Sequence, residues 1–132
     1  MDKEIQSLIN GYLDKADEKL KVAKSLLKMN DYEDTVSRAY YAVFHSAQAV
    51  LLTEGLNART HQGLINLLGL HFIKTGKLDK KFGRFLAELK DDRERSDYEI
   101  YSTIDEATAT QAVKEAEEFL KGIRKHLKKY AI

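Results

Sequence analysis

Not one of the 132 residues is proline. Average usage near 5% would place about six or seven in a chain this long. Proline costs a helix interior ~3 kcal/mol because it lacks an N–H and clashes with the preceding turn. A chain that avoids it throughout is free to be nearly all helix, and the spacing of its apolar residues says that it is. Ile5, Leu8, Ile9, Tyr12, Ala16, Leu20, Ala23 and Leu27 recur at threes and fours, with Lys and Glu between them. This predicts a first helix from about Lys3 to Met29.

Asn30 and Asp31 supply a stop and a new start, either of them able to cap the next helix, with Glu33 and Asp34 in its first turn. The second helix then runs to Glu54, with Gly55 just past its end. Thr60 caps a third helix over His61–Thr75, closed by Gly76. Asp79 opens a fourth, carrying Phe82, Phe85, Leu86 and Leu89 and fading in the charged run Lys90–Asp97. After Ser102 and Thr103, Asp105 begins a last helix with Ala109, Ala112, Val113, Ala116, Phe119, Leu120, Ile123 and Leu127 inward. No segment alternates as a strand does. The expected fold is all-α: an antiparallel up-and-down bundle of four to five helices in one domain, residues 1–132.

The second helix is unusual. At 100° per residue, Val36, Tyr40, Val43, Phe44, Ala47, Val50 and Leu51 share one sector. The opposite sector holds Arg38, Tyr41, Ala42, His45, Ala49 and Leu52, where an ordinary surface helix carries Lys and Glu. Two selective faces imply two packed flanks, expected to be the chain's own core and a neighbouring molecule. Tyr41 and Ala49 are then interface or ligand-facing residues.

Composition narrows the function classes. A formal net charge of +1 exerts no overall pull toward nucleic acid or anionic membrane. Cysteine is absent, which excludes disulfides and Cys-ligated zinc. There is no basic, apolar leader at Met1-Asp2-Lys3-Glu4 and no apolar run near the ~18 residues of a membrane span, so a cytoplasmic location is expected. No histidine pair at metal-ligand spacing exists, and neither a metal nor a cofactor is expected.

Arg38 and His45 lie two turns apart on one face, about 10 Å along the axis, with Tyr41 between them. A guanidinium, an imidazole and a phenol on one face can bind a phosphate and move a proton. They can equally be packing residues, with Arg38 paired to a carboxylate. Arg59 and His61 flank the start of the third helix, where free N–H groups can hold an anion or simply be capped. Arg93 and Asp97 are spaced for an i,i+4 ion pair. Tyr98 and Tyr101 point to burial of this segment against the bundle. Lys121 to Lys129 form a basic end whose charges are spread around the helix. Gly63, Gly69 and Gly83 are read as places of close helix approach.

Four ordered segments together resemble one known family. They are Arg38-Ala-Tyr-Tyr-Ala-Val-Phe-His45-Ser-Ala-Gln-Ala49 with Leu51-Leu52, Thr60-His61-Gln-Gly63, Lys74-Thr75-Gly76-Lys77-Leu78, and Arg93-Glu-Arg-Ser-Asp97-Tyr98. Over about residues 5–128 the chain is similar to HEPN-domain proteins, in the small stand-alone group of bacterial and archaeal members. The resemblance implies a helical-bundle homodimer, often paired with a small nucleotidyltransferase-type protein as toxin and antitoxin. Many HEPN proteins are metal-independent ribonucleases that use an Arg, four to six residues, then a His, near the start of the last long helix. Here Asp97 stands about where that His is wanted, and no His occurs between His71 and His126. Arg38 and His45 meet the spacing, but on the second helix.

The first-ranked expectation is a weakly catalytic or non-catalytic dimer that binds nucleotide or RNA, with Arg38, Tyr41 and His45 lining a groove and Arg93, Arg95, Asp97 and Tyr98 nearby. A purely structural adaptor ranks second. A ribonuclease toxin using His45 as base and Arg38 as cation, acting in trans across the dimer, ranks third.

Overall fold

The computed structural model describes residues 1–101 and 103–132. Ser102, read above as part of a connector, lies outside them. Five α-helices carry the fold: α1 (Lys3–Lys28), α2 (Tyr32–Leu51), α3 (His61–Leu68), α4 (Lys80–Tyr98) and α5 (Glu106–Leu127). Among the described residues there is no strand, and no helix is long and apolar enough to cross a membrane.

Each start is fixed by a side chain that satisfies an orphan N–H of the first turn. Asp2 accepts from Glu4 N at 2.6 Å, Asp31 from Asp34 N at 3.3 Å and Thr60 from Gly63 N at 2.9 Å. Asp79 accepts from Lys81 N at 2.9 Å and Asp105 from Thr108 N at 2.8 Å. Between α1 and α2 the chain reverses at Asn30, whose φ of 62° is left-handed, a conformation asparagine tolerates better than most residues.

Helix ends differ from the periodic reading in three places. The second helix tightens into a 3₁₀ turn at Leu52–Glu54 before Gly55 at φ 69°. The third does not remain α-helical to Thr75. It widens into one π turn over Gly69–Ile73, where Lys74 N reaches back five residues to Gly69 O at 2.8 Å. The fourth, by contrast, runs intact through its charged stretch to Tyr98.

α2 is the spine. It packs against α1, α4, α5 and α3. Ala39, Ala42, Val43, Ala47, Ala49 and Val50 are all fully buried. Part of the second flank of α2 is therefore covered by this chain's own helices: small Ala42 sits in a cluster with Ala16 of α1 and Leu120 of α5. This corrects the expectation that Ala49 faces a ligand or a partner, since it is a packing residue of this chain, while Arg38, Tyr41 and His45 on the same flank stay exposed or half-buried. Alanines on this flank let the neighbouring backbones come close.

The close helix approach expected at Gly63, Gly69 and Gly83 lies elsewhere. At Gly63 a Cβ would meet the capping Thr60 hydroxyl of its own helix start at 2.8 Å, not a neighbouring helix. A Cβ at Gly69 would meet nothing, and at Gly83 only ordinary contact with Ile73. At Gly122 of α5 it would run into the ring of Phe82. That ring is itself wedged edge-on between Phe85 and Phe119.

Gly122→Ala should therefore destabilise the protein. A Cβ driven this far into a wedged ring puts overpacking toward the top of the ~1–3 kcal/mol range. This outweighs the ~1 kcal/mol that alanine adds in helix propensity, for a net loss of up to about 2 kcal/mol. Thermal unfolding of the variant is expected to begin several degrees lower, and an unchanged or raised midpoint would contradict this packing.

Candidate functional site

The α2 strip that stays partly open carries Arg38, Tyr41 and His45. Together with Lys15, Glu18 and Lys19 of α1 they line an open groove of about 400 Å³. Arg38 is exposed, whereas Tyr41 and His45 are half-buried. The His45 ring stacks on Tyr12 of α1 at 6.3 Å and meets Phe44 edge-on at 5.6 Å. Its Nδ1 is shielded from water without a hydrogen-bond partner.

Behind this groove the side chains of three helices converge. From α4, the Arg93 Nη2 donates to the Tyr41 hydroxyl at 2.9 Å, and its guanidinium lies 5.4 and 5.9 Å from the Tyr41 and Tyr40 ring centres. Asp97, one turn on, pairs with Arg93 Nε at 2.8 Å, as the i,i+4 spacing predicts. From the start of α3, His61 Nδ1 shares a 2.5 Å hydrogen bond with the Tyr40 hydroxyl. His61 also packs against Phe44 at 4.9 Å and Tyr41 at 6.1 Å. A second ion pair, Lys90 to Glu94 at 2.7 Å, borders the cluster on α4.

Three residues of the expected set lie apart. Arg59 is exposed. Arg95 points away from Arg93, pairing with Asp92 at 2.5 Å in an acidic depression that also holds Glu88, Asp91 and Glu99. Tyr98 is 76% exposed and Tyr101 85%, which corrects the expectation of burial. The i,i+4 pairing draws Asp97 along the helix to Arg93, whereas Tyr98, next in sequence, turns out to solvent. Conversely, the sequence reading left Tyr40 in the core and passed over Tyr12 and Phe44. The one available signal for Tyr40 and Phe44 was the aromatic density of Tyr40, Tyr41 and Phe44 beside a histidine.

The electrostatics favour neutral imidazoles beside a fixed cation. Burial lowers the His45 pKa below its ordinary value, and Lys15 and Lys19 push it the same way. Burial also lowers that of His61, with Arg93 and Lys90 adding to it and Glu94 opposing. Burial raises the Tyr40 pKa, so the phenol keeps its proton. At neutral pH the cluster thus offers two imidazoles able to accept a proton, a phenol and a guanidinium. Among the described residues no group of acidic or histidine side chains is arranged to hold a metal ion.

Comparison with known proteins gives the family. The HEPN domain matches residues 9–126, nearly the whole chain. The chain belongs to the HEPN family. A relative from Methanocaldococcus jannaschii, named "Putative toxin MJ0605", is 39% identical over 97% of this chain and 95% of its own length. A "UPF0332 protein" from Thermotoga maritima is 34% identical over 92% of both chains. The crystal structure of TT1696 from Thermus thermophilus superposes with a TM-score of 0.78, over 90% of this chain and 98% of that one. At 17% identity that likeness shows a shared HEPN-compatible fold and nothing further.

Imidazoles held neutral by the fold make stability depend on pH. In the unfolded chain they titrate near pH 6.5; in the folded one His45, His61 and His126 titrate lower. Below that value the unfolded state takes up protons the native state refuses, so stability falls as pH falls. Glu115 and Asp34, both raised, act in the opposite sense nearer the carboxylate range. The thermal midpoint should drop between about pH 7 and about pH 5.5, and less so in a His45→Gln, His61→Gln variant. A flat or rising midpoint over that range would contradict the assignment.

Proposed function

We propose that this chain is a toxin-like HEPN module that works as a homodimer, binds nucleotide or RNA at the α2–α3–α4 cluster, and pairs with a small nucleotidyltransferase-type protein. The observation that carries this reading is Arg93. Its guanidinium is fixed by Tyr41 and Asp97 at the edge of a cluster holding two uncharged histidines. A planar cation in fixed orientation beside aromatic faces suits a phosphate and an adjoining base. The open groove of Arg38 and His45 gives such a ligand a way in.

Two further features support the reading. Relatives that cover nearly the whole chain carry toxin names, among them "Putative toxin MJ0142" from Methanocaldococcus jannaschii at 30% identity. The exposed Tyr98, Ile100 and Tyr101 at the end of α4 present aromatic and aliphatic surface of the kind enriched at interfaces, and a second copy is the occupant proposed here.

A second reading, a metal-independent ribonuclease, is favoured by one observation: the His45 Nδ1 has no partner, and its ring shares a groove with Arg38. Attack of a 2′-hydroxyl on the neighbouring phosphorus needs a base near neutrality and a cation on the developing charge. His45 can be the base. Arg38, two turns away on the same helix, would serve the copy opposite.

One set of proteins tests both. Light scattering of the wild type at micromolar concentration should give twice the chain mass. Arg93→Ala should weaken binding of a nucleotide or short RNA about tenfold or more, the loss of one charge-assisted contact. A monomeric protein whose binding ignores Arg93 would refute the first reading. RNA cleavage without metal that disappears in His45→Ala would replace it with the second.

A further inference from the structure

In sequence the cations that close the chain look scattered around a helix. The structure sorts them. Lys121, Lys125 and Lys129 line one open groove of about 500 Å³ between the start of α4 and the end of α5, while Arg124 turns away to Asp17 at 2.5 Å. Four-residue spacing sets successive lysines at intervals of ~6 Å along the axis. Among the described residues none of the three makes an ion pair, unlike Lys77 and Lys81 across the groove, which are matched by Glu54 and Glu118. The groove thus keeps three cations in line without counterions, although Asp79 also lies on its wall.

A second, independent feature sits in the same wall. His126 is only 5% exposed, and both its ring nitrogens lack a hydrogen-bond partner. Its neighbours are ring edges and faces, Phe72 and Tyr130, each at 5.8 Å. Buried polar groups are nearly always paired in folded proteins. An anion drawn among the lysines would supply the acceptor this ring is missing. Phe82, packed on the bare backbone of Gly122, gives the groove an apolar floor.

We propose that this groove is a track for the backbone of a single nucleic-acid strand, with successive phosphates along Lys121, Lys125 and Lys129 and His126 donating to one phosphate oxygen. Cations in a row on an open surface suit several phosphates in line. They do not converge as a pocket for one phosphate must. A positively charged groove that follows the backbone binds single strands without reading sequence. The track is separate from the α2–α3–α4 cluster and does not depend on what that cluster does.

Fluorescence anisotropy with labelled RNA and DNA oligomers of about twelve nucleotides tests it, since single-strand sites take ~4–16 nucleotides. The variant is Lys121→Glu, Lys125→Glu, two exposed positions whose change leaves the core intact. Affinity for both oligomers should fall at least tenfold. The slope of log affinity against log salt should shrink by about 1.4, two phosphates at ~0.7 each. The chain has four histidines, so the His126 ring resonance can be followed by NMR. It should shift on adding RNA to the wild type and stay still in the variant.

No binding by the wild type at low salt would overturn the proposal, as would an unchanged affinity and slope in the variant. So would equal competition by inorganic phosphate, the mark of a single-phosphate site. Binding that survives the double substitution but is lost in Arg93→Ala would assign the strand to the central cluster instead.

Discussion

Everything in this fold depends on the burial of α2 by four other helices. A helix closed in on most of its circumference must be small where backbones press on it and apolar where side chains interlock. Ala39, Ala42, Ala47 and Ala49 answer the first requirement; Val36, Tyr40, Val43 and Val50 answer the second. Beyond the first turn and Ser37, only the strip from Arg38 through Tyr41 to Phe44 and His45 escapes full burial. Titratable chemistry is confined to that strip because a charged group elsewhere on the packed part of α2 would be buried without a partner. The location of the site is thus a consequence of packing, and the bundle orients it for the same reason.

What gives the strip its character is the arrival of two other helices. Thr60 caps α3 so that His61 is delivered against Tyr40 and Phe44. α4, continuous through its charged stretch, brings Arg93 over the same tyrosines with Asp97 holding it from one turn away. The guanidinium lies against polarisable rings, and its charge helps keep His61 neutral. The family match spans nearly the whole chain, and relatives of that extent carry toxin names.

Helix positions were legible in the sequence because they rest on local rules. Caps at Asp31, Thr60, Asp79 and Asp105 and the stops at Gly55 and Gly76 could all be read from neighbours along the chain. The two faces of α2 were legible too, as was the Arg93–Asp97 pair. What covers the second face was not: periodicity shows that a surface is buried, never by which element, and Ala49 was assigned to a partner for that reason. Contacts such as Arg93 with Tyr41, 52 residues apart, or Tyr40 with His61, depend on helix crossing angles that no spacing encodes. The shared groove of Lys121, Lys125 and Lys129 was hidden likewise, since only the placement of α4 beside α5 gives them a common wall.

If α2 is the spine, no part of it can open while the bundle stands. Native-state hydrogen exchange measures this directly. The backbone amides from Ala39 to Leu51 should exchange only with the free energy of global unfolding, later than those of α3 and of the end of α4. Amides in that span exchanging by easier, local openings while α1 and α5 stay protected would show that the bundle is held together by something else.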